Sequence, residues 1–158
     1  MKRILILLTM FVLFIVPSST SALAISSDNQ TEAVTSVELL PNGDYIITEL
    51  ALSKGIVSTY SVNGSTIPGR KTATYYSSNG TKIWDVTVNG TFTYTYGVSA
   101  TSTSSSATVN IYNAKAKFVS KSANTSGNTA TATGTVTYNS LSTTKSVSIS
   151  CDKYGNLY

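Results

Sequence analysis

Apolar and polar residues alternate along most of the chain after residue 44, and this period of two is the strongest constraint on the fold. Successive side chains of a β-strand point to opposite faces, so the alternation predicts half-buried strands. The alternating runs are rich in Ser and in Thr, Val and Tyr, and the last three favour strands. The predicted strands are Tyr45–Leu52, Lys71–Tyr76, Lys82–Thr87, Thr91–Val98, Ala107–Tyr112, Ala114–Lys121, Thr129–Tyr138 and Thr143–Cys151.

Asn-Gly dipeptides stand at positions 42–43, 63–64, 79–80 and 89–90. This dipeptide favours tight hairpin turns more than other short sequences do. Short strands separated by such turns predict an all-β domain over residues 43–158, an antiparallel two-sheet sandwich of immunoglobulin-like or related type. Residues 53–70 contain three glycines and a proline and predict a long irregular crossover.

Two of the Asn-Gly sites predict which side chains share a sheet face. At 89–90, a three-residue bulged loop pairs Trp84 with Tyr94, whereas a two-residue turn would mix the two faces. At 79–80, a two-residue turn pairs Tyr75 with Trp84. The predicted buried face of this meander carries Ala73, Tyr75, Trp84, Val86, Phe92 and Tyr94. Its predicted solvent face carries Thr72, Thr74, Tyr76, Ile83, Asp85, Thr87, Thr91, Thr93 and Thr95.

The first 24 residues have the pattern of a cleavable secretory signal peptide. Lys2 and Arg3 precede an apolar run over residues 4–16, which is shorter than the about 20 residues that a membrane-spanning helix needs. The small-x-small sequence at positions 22–24 predicts cleavage after Ala24. We therefore expect a signal helix at residues 1–24 and a secreted, extracellular chain without a stable membrane anchor.

Charge is scarce and unevenly placed in the rest of the chain. Residues 25–50 contain five acidic residues and no basic residue, whereas nine Lys or Arg and two acidic residues follow from residue 51. We expect residues 25–42 to form a flexible acidic leader. Loss of the two basic residues in the signal lowers the formal net charge from +4 to +2, which gives little attraction to nucleic acid as a partner.

The residue types needed for catalysis are poorly represented. Histidine, the commonest general base and metal ligand, is absent. Cys151 is the only cysteine, so no disulfide within the chain and no thiolate zinc site is expected. Its alternation with Val147 and Ile149 favours a buried thiol over a reactive thiol or one that pairs between chains. A Ser-Lys dyad stays open, because Ser and Lys are frequent, although no spacing singles one out. We expect a non-catalytic protein without a cofactor.

Three surfaces are candidates for binding. Tyr76 and Asp85 share the Thr-rich solvent face, which fits a sugar- or peptide-binding platform or an ordinary solvated sheet face. Lys115, Lys117 and Lys121 alternate along a predicted strand as a basic ladder, which fits anionic wall polymers or acidic lipids, or protection of a sheet edge. The alternation of Thr with Ala, Gly and Val in residues 129–137 fits a pore or close packing of two sheets.

Three segments together resemble a known family: Leu40-Pro-Asn-Gly-Asp-Tyr-Ile-Ile-Thr-Glu49, Thr74-Tyr-Tyr-Ser-Ser-Asn-Gly-Thr-Lys-Ile-Trp84 and Val86-Thr-Val-Asn-Gly-Thr-Phe-Thr-Tyr94. They are similar to small secreted proteins of unknown function from Gram-positive, clostridia-like bacteria, over about residues 40–155. The resemblance implies export, an all-β domain and no assigned activity. It also implies a second cysteine near position 102 as a partner for position 151, where this chain has Ser102.

These observations favour a secreted, non-catalytic module that binds a cell-wall polymer or glycan outside the cell. The alternative is a secreted toxin or antimicrobial that assembles on membranes. A hydrolase is a third hypothesis and requires an essential Ser, Lys or carboxylate.

Overall fold

The computed structural model describes residues 32–52 and 64–158 and confirms the all-β prediction. The signal peptide with Ala24, residues 25–31 and residues 53–63 lie outside the described part of the chain. Within the described part, no helix is long and apolar enough to cross a membrane. The strands there are β1 (Glu32–Leu39), β2 (Tyr45–Leu52), β3 (Ser65–Tyr76), β4 (Lys82–Thr95), β5 (Ser99–Ile111), β6 (Ala116–Ser126), β7 (Thr129–Tyr138) and β8 (Leu141–Ser150).

The strands form two antiparallel sheets, which confirms the predicted sandwich. Sheet A has the order β1-β2-β3-β4-β5 and sheet B has the order β6-β7-β8. Every strand pairs with its neighbour in sequence, so each sheet is a meander and the chain passes between sheets after β5. Immunoglobulin domains use Greek-key connections instead, so this sandwich belongs to the related types with a different strand order.

The core lies between the inner faces of the two sheets. Trp84 and Phe92 are the largest side chains that are fully buried there. Cys151 is also completely buried, as its alternation with Val147 and Ile149 predicts. Sheet A contributes Ile46, Leu50, Ala73, Tyr75, Ile83, Trp84, Val86, Val88 and Phe92, and sheet B with its flanking residues contributes Ala116, Ala130, Ala132, Val136, Val147, Ile149 and Cys151.

The predicted loop at Asn89-Gly90 is wrong, because β4 runs through it without a turn. Gly90 pairs with Gly69 of β3 in the middle of sheet A. A Cβ atom at Gly90 would lie 2.8 Å from the Cβ atom of Ala130, so glycine is needed here for the close approach of sheet B. The predicted crossover is likewise wrong from Ser65 onward, since β3 begins there.

The hairpin between β3 and β4 has the predicted pairing of Tyr75 with Trp84 but a different turn. Gly80 has a φ of +84° and its N–H donates to the Ser77 carbonyl, so three residues rather than two form the loop. The register then shifts by one residue at Ile83, and this shift restores the predicted pairing of Tyr75 with Trp84. This β-bulge turns Ile83 into the core, although the alternation places it on the solvent face.

The predicted flexible leader over residues 25–42 is wrong for Glu32–Leu39, which form edge strand β1. Alternation in this segment is weak because side chains on both faces of the strand are exposed, as seen for residues 36–39. Glu38 accepts a hydrogen bond of 2.5 Å from Lys145 on β8, so an ion pair links an edge of sheet A to an edge of sheet B. The sandwich domain therefore begins before the predicted boundary at residue 43.

Candidate functional site

The outer face of sheet A, which points away from sheet B, carries the two platform residues that the sequence predicts, Tyr76 and Asp85. Pairing of strands β2 to β5 fixes the membership of this face, because paired residues share a side of the sheet. It comprises Tyr45, Ile47, Glu49 and Ala51 of β2, Pro68, Arg70, Thr72, Thr74 and Tyr76 of β3, Lys82, Asp85, Thr87, Asn89 and Thr91 of β4, and Ser104, Ser106, Thr108 and Asn110 of β5.

Asp85 is the centre of a hydrogen-bonded cluster on this face. Its side chain accepts hydrogen bonds from Asn110 Nδ2 at 2.8 Å and from Tyr112 OH at 2.6 Å, and Lys82 Nζ lies 3.1 Å from its Oδ2. These neighbours leave Asp85 only 3% exposed, so the prediction that it lies in solvent is wrong. The carboxylate therefore positions its partners and is not itself free to bind a ligand.

The prediction of a solvated face is also wrong for Thr74 and Thr87, which are buried. Both lie beside Asp85, since Thr74 pairs with it across β3 and β4 and Thr87 follows it two residues later on the same face. Thr72 and Thr87 share a hydrogen bond of 2.9 Å between their hydroxyl oxygens. The centre of the outer face is thus a fixed hydrogen-bond network.

Lys82 and Tyr112 belong to the cluster, and sequence reasoning missed both. The Lys82 ammonium lies 3.9 Å from the centre of the Tyr112 ring, a cation–π contact. Burial acts to lower the pKa of Lys82, but hydrogen bonds to Tyr112 and Asp85 outweigh burial and raise it. The cluster therefore holds a permanently charged ammonium at physiological pH.

An aromatic corner, formed by Leu39, Tyr45 and Tyr76, adjoins the cluster. The rings of Tyr45 and Tyr76 stack with 5.2 Å between centroids and 10° between planes. Leu39 pairs with Tyr45 across β1 and β2, and its side chain is exposed. Tyr76 pairs with Lys82, so the aromatic corner and the charged cluster are direct neighbours. Such a surface combines apolar ring faces with fixed hydrogen-bond donors.

A shallow groove of about 390 Å³ lies on the same face, toward the other end of the strands. Its walls carry Arg70, Asn89 and the small hydroxyl residues Thr91, Ser104 and Ser106. Gly69 and Gly90 form its floor, since their missing side chains would point into the core. The groove extends the outer face beyond the aromatic corner.

The predicted basic ladder of Lys115, Lys117 and Lys121 does not exist. Lys115 lies in the loop before β6. The register of β6 shifts between Phe118 and Ser120, and this bulge reverses the alternation. Lys121 therefore pairs with Gly134 on the side toward sheet A.

Lys117 pairs instead with Thr137 on the opposite side of sheet B. The three lysines thus occupy a loop and two different faces. Lys115 lines a cavity at one end of the sandwich.

That cavity, which we call the end cleft, has a volume of about 490 Å³ and lies where the loops at one end of the sandwich meet. It is lined by Asn42, Asp44, Ser77, Ser78, Asn79, Thr81, Asn113, Lys115, Tyr138 and Asn139. Asp44 is buried and accepts hydrogen bonds from Tyr75 OH, from Asn42 Nδ2 at 2.8 Å and from the Ser78 N–H at 2.8 Å. Burial, and then the hydrogen bond to Asp44, raise the pKa of Tyr75.

The outer face of sheet B carries a ladder of hydroxyl pairs between β7 and β8. The pairs are Thr129 with Ser150, Thr131 with Ser148, Thr133 with Ser146, and Thr135 with Thr144, at oxygen–oxygen distances of 2.7 to 2.9 Å. On the inner side of β7, a Cβ atom at Gly134 would lie 2.8 Å from Val109 Cγ2. The close-packing interpretation of residues 129–137 therefore describes the inner side of this strand.

Cys151 is not available as a nucleophile in the folded chain. Burial, with a smaller contribution from the charge of Asp152, raises the pKa of its thiol to about 11. The described residues also bring together no group of three or more acidic or cysteine side chains that would hold a metal ion.

Ser102 and Cys151, the positions that the resemblance pairs, both contact the turn between β6 and β7. The Ser102 N–H donates to the Gly127 carbonyl, and the Cys151 N–H donates to the Asn128 carbonyl. The two positions therefore flank the same turn.

We compared the chain with known protein families, with curated proteins and with solved structures, and found no match. The outer face of sheet A and the end cleft are accordingly interpreted from their own geometry.

Proposed function

We propose that the protein is a secreted, non-catalytic module that binds a glycan of the cell surface through the outer face of sheet A. The observation that carries the proposal is the stacked pair of Tyr45 and Tyr76 beside the cluster of Lys82, Asp85 and Tyr112. Sugars have apolar C–H faces and polar hydroxyl edges, so they require both kinds of surface side by side. Export of the chain is supported by the signal-like pattern of residues 1–24.

The geometry of the cluster supports binding with little loss of side-chain freedom. The Asp85 carboxylate holds the Tyr112 hydroxyl and the Lys82 ammonium in place, and Tyr45 restrains Tyr76 by stacking. Groups that are already ordered in the free protein cost less entropy when a ligand binds. This offsets the small number of contacts that a flat sheet face makes with one sugar unit.

The length of the face supports an extended ligand. Tyr76 and Arg70 are separated by six residues along β3, which corresponds to roughly 20 Å. The groove that Arg70 lines therefore lies several sugar units from the aromatic corner. A polymer that follows β3 reaches both regions.

The proposal is tested by co-sedimentation with bacterial cell-wall preparations and by binding to arrayed glycans. We expect binding that Tyr76→Ala reduces roughly tenfold, because the stacked ring face is lost. Tyr158→Ala is the control, since Tyr158 is an exposed tyrosine that belongs to the C-terminal segment, whereas Tyr76 is half-buried on sheet A. Absence of binding to every preparation, or equal binding by the two variants, would contradict the proposal.

A specific surface supports a second candidate function, that of a secreted toxin or antimicrobial that assembles on membranes and disrupts them. The tip of the β4–β5 hairpin exposes Tyr96 and Val98, and the Tyr96 ring packs against Tyr154 with 5.2 Å between centroids. The Lys153 ammonium lies 5.3 Å from the centre of the Tyr154 ring, and exposed tyrosine and lysine side chains are typical of membrane–water interfaces. Release of dye from anionic liposomes, lost on Val98→Asp, is the expected result; intact liposomes would exclude this function.

A further inference from the structure

We infer that the end cleft is a second subsite, which takes a carboxylate-bearing sugar residue of the polymer that the outer face of sheet A binds. The inference rests on the proposed glycan-binding function. The cleft is concave and, at about 490 Å³, large enough to hold a sugar unit. Its free polar groups determine which sugar fits.

Two asparagines of the cleft, Asn79 and Asn113, present hydrogen-bond donors. Asn79 Oδ1 accepts the Thr81 N–H at 3.1 Å, and Asn113 Oδ1 accepts the Lys115 N–H at 2.9 Å. Each amide therefore has its oxygen occupied by the backbone and keeps its two N–H donors for a ligand. A ligand that fits these groups has to supply acceptors.

The charged groups of the cleft also favour a ligand that supplies acceptors. Asp44 is the only carboxylate among the lining residues, and three donors from the protein already occupy it. Lys115 takes part in neither of the two ion pairs seen among residues 32–52 and 64–158, which use Lys82 and Lys145. The ammonium of Lys115 is thus available for a charge-assisted hydrogen bond to an anionic acceptor, and a carboxylate meets this requirement.

The position of the cleft links it to the aromatic corner. Asp44 and Ser77, which line the cleft, directly precede Tyr45 and follow Tyr76 in the chain. The loop between β3 and β4 also bridges the two, since a Cβ atom at Gly80 would lie 3.8 Å from the Tyr45 hydroxyl. Tyr138 supplies a ring at the cleft wall. A sugar chain stacked on Tyr76 can therefore place its next residue in the cleft.

The inference is tested with matched acidic and neutral polymers. Polygalacturonate, alginate and hyaluronan are each compared with the same polymer after reduction of its carboxyl groups to alcohols, by affinity electrophoresis of the whole protein. We expect at least one acidic polymer to bind roughly tenfold more tightly than its reduced form, as one charge-assisted hydrogen bond gives. We expect Lys115→Met to abolish this preference and Lys117→Met, which removes the same charge from another surface, to preserve it.

Several results would overturn the inference. They are equal binding of acidic and reduced forms for all three polymers, equal loss of the preference in Lys115→Met and Lys117→Met, or a stronger Lys115-dependent preference for a polymer of glycerol phosphate. Thermal unfolding of each variant is the control for misfolding. We expect Lys115→Met to unfold at the same temperature as the unchanged protein, because the Lys115 side chain is exposed. A failure of the proposed function gives a different result: Tyr76→Ala then binds the reduced polymers as tightly as the unchanged protein does.

Discussion

Lys82 and Asp85 are three residues apart in β4, and yet their side chains lie on the same face of sheet A with 3.1 Å between Nζ and Oδ2. Residues at this spacing point to opposite faces of a regular strand. The bulge at Ile83 reverses the alternation and brings the two charges together. One extra residue in β4 thus creates the cluster beside the aromatic corner.

Asp85 should therefore contribute strongly to stability. Replacing it with alanine leaves the Lys82 ammonium and the Tyr112 hydroxyl without their shared acceptor, in a partly buried place. We expect Asp85→Ala to lower the free energy of unfolding by about 2–3 kcal/mol, measured by urea titration. Glu49→Ala removes an exposed carboxylate from the same face and should change the value by less than about 0.5 kcal/mol. Equal effects of the two substitutions would show that the cluster is not a stabilising unit.

Two raised pKa values predict weaker folding in alkaline solution. The pKa of Lys82 is raised above its ordinary 10.5 because its hydrogen bonds to Tyr112 and Asp85 outweigh burial, and that of Tyr75 is raised above 10.0 by burial and the bond to Asp44. Both groups favour their protonated form in the folded chain. Their contribution to the free energy of unfolding is complete below the pKa values that the two groups have in the unfolded chain. It is lost as the pH rises through the higher pKa values that they have in the folded chain.

We expect the free energy of unfolding to fall above about pH 10 and to fall less steeply in Lys82→Met/Tyr75→Phe. The measurement is urea unfolding between neutral pH and about pH 11. Lys117→Met/Tyr158→Phe serves as the control, because both of its side chains are exposed. The same decline in the two double variants would contradict this interpretation.

Gly90 should tolerate no side chain. A Cβ atom there would lie 2.8 Å from the Ala130 Cβ atom and 2.9 Å from the Phe92 ring. We expect Gly90→Ala to destabilise the protein by about 1–3 kcal/mol through overpacking, and Ala130→Gly in the same chain to recover part of the loss. Thr93→Ala, an exposed change in the same strand, is the control for general effects on β4. An unaffected melting temperature of Gly90→Ala would show that sheet B can move away.

The buried thiol of Cys151 should react only when the chain unfolds. Its pKa is raised to about 11 by burial and by Asp152, so little thiolate exists at neutral pH. We expect a thiol reagent to label the native protein very slowly and the urea-unfolded protein at once. Ser120→Cys adds an exposed cysteine on β6 and should react rapidly in the folded chain. Fast labelling of Cys151 in the native protein would contradict its burial.

The sequence predicts the fold class and much of the strand placement, because alternation records which side of a sheet is buried. Strands β2 and β7 match their predicted bounds residue for residue. Asn89-Gly90 misleads because a local turn preference cannot report the close approach of sheet B, which makes glycine necessary in mid-strand. The resemblance to small secreted proteins and the secretory signal stay predictions.

The candidate site is only half predictable. Tyr76 and Asp85 are found by their shared face, whereas Lys82 and Tyr112 join them through a bulge and a neighbouring strand. The bulge in β6 separates the lysines for the same reason, since alternation cannot reveal a shift of one residue. The end cleft depends on loops that are distant in sequence and leaves no periodic signal.

The most direct test of the account is a titration of the ¹⁵N-labelled protein with the tightest-binding glycan, followed by backbone amide chemical shifts. We expect the shifts to concentrate on the outer face of sheet A, around Tyr45, Tyr76 and Lys82, and to be lost in Tyr76→Ala. Shifts that concentrate instead on the hydroxyl ladder of sheet B, or on the tip of the β4–β5 hairpin, would contradict the assignment of this face as the binding site.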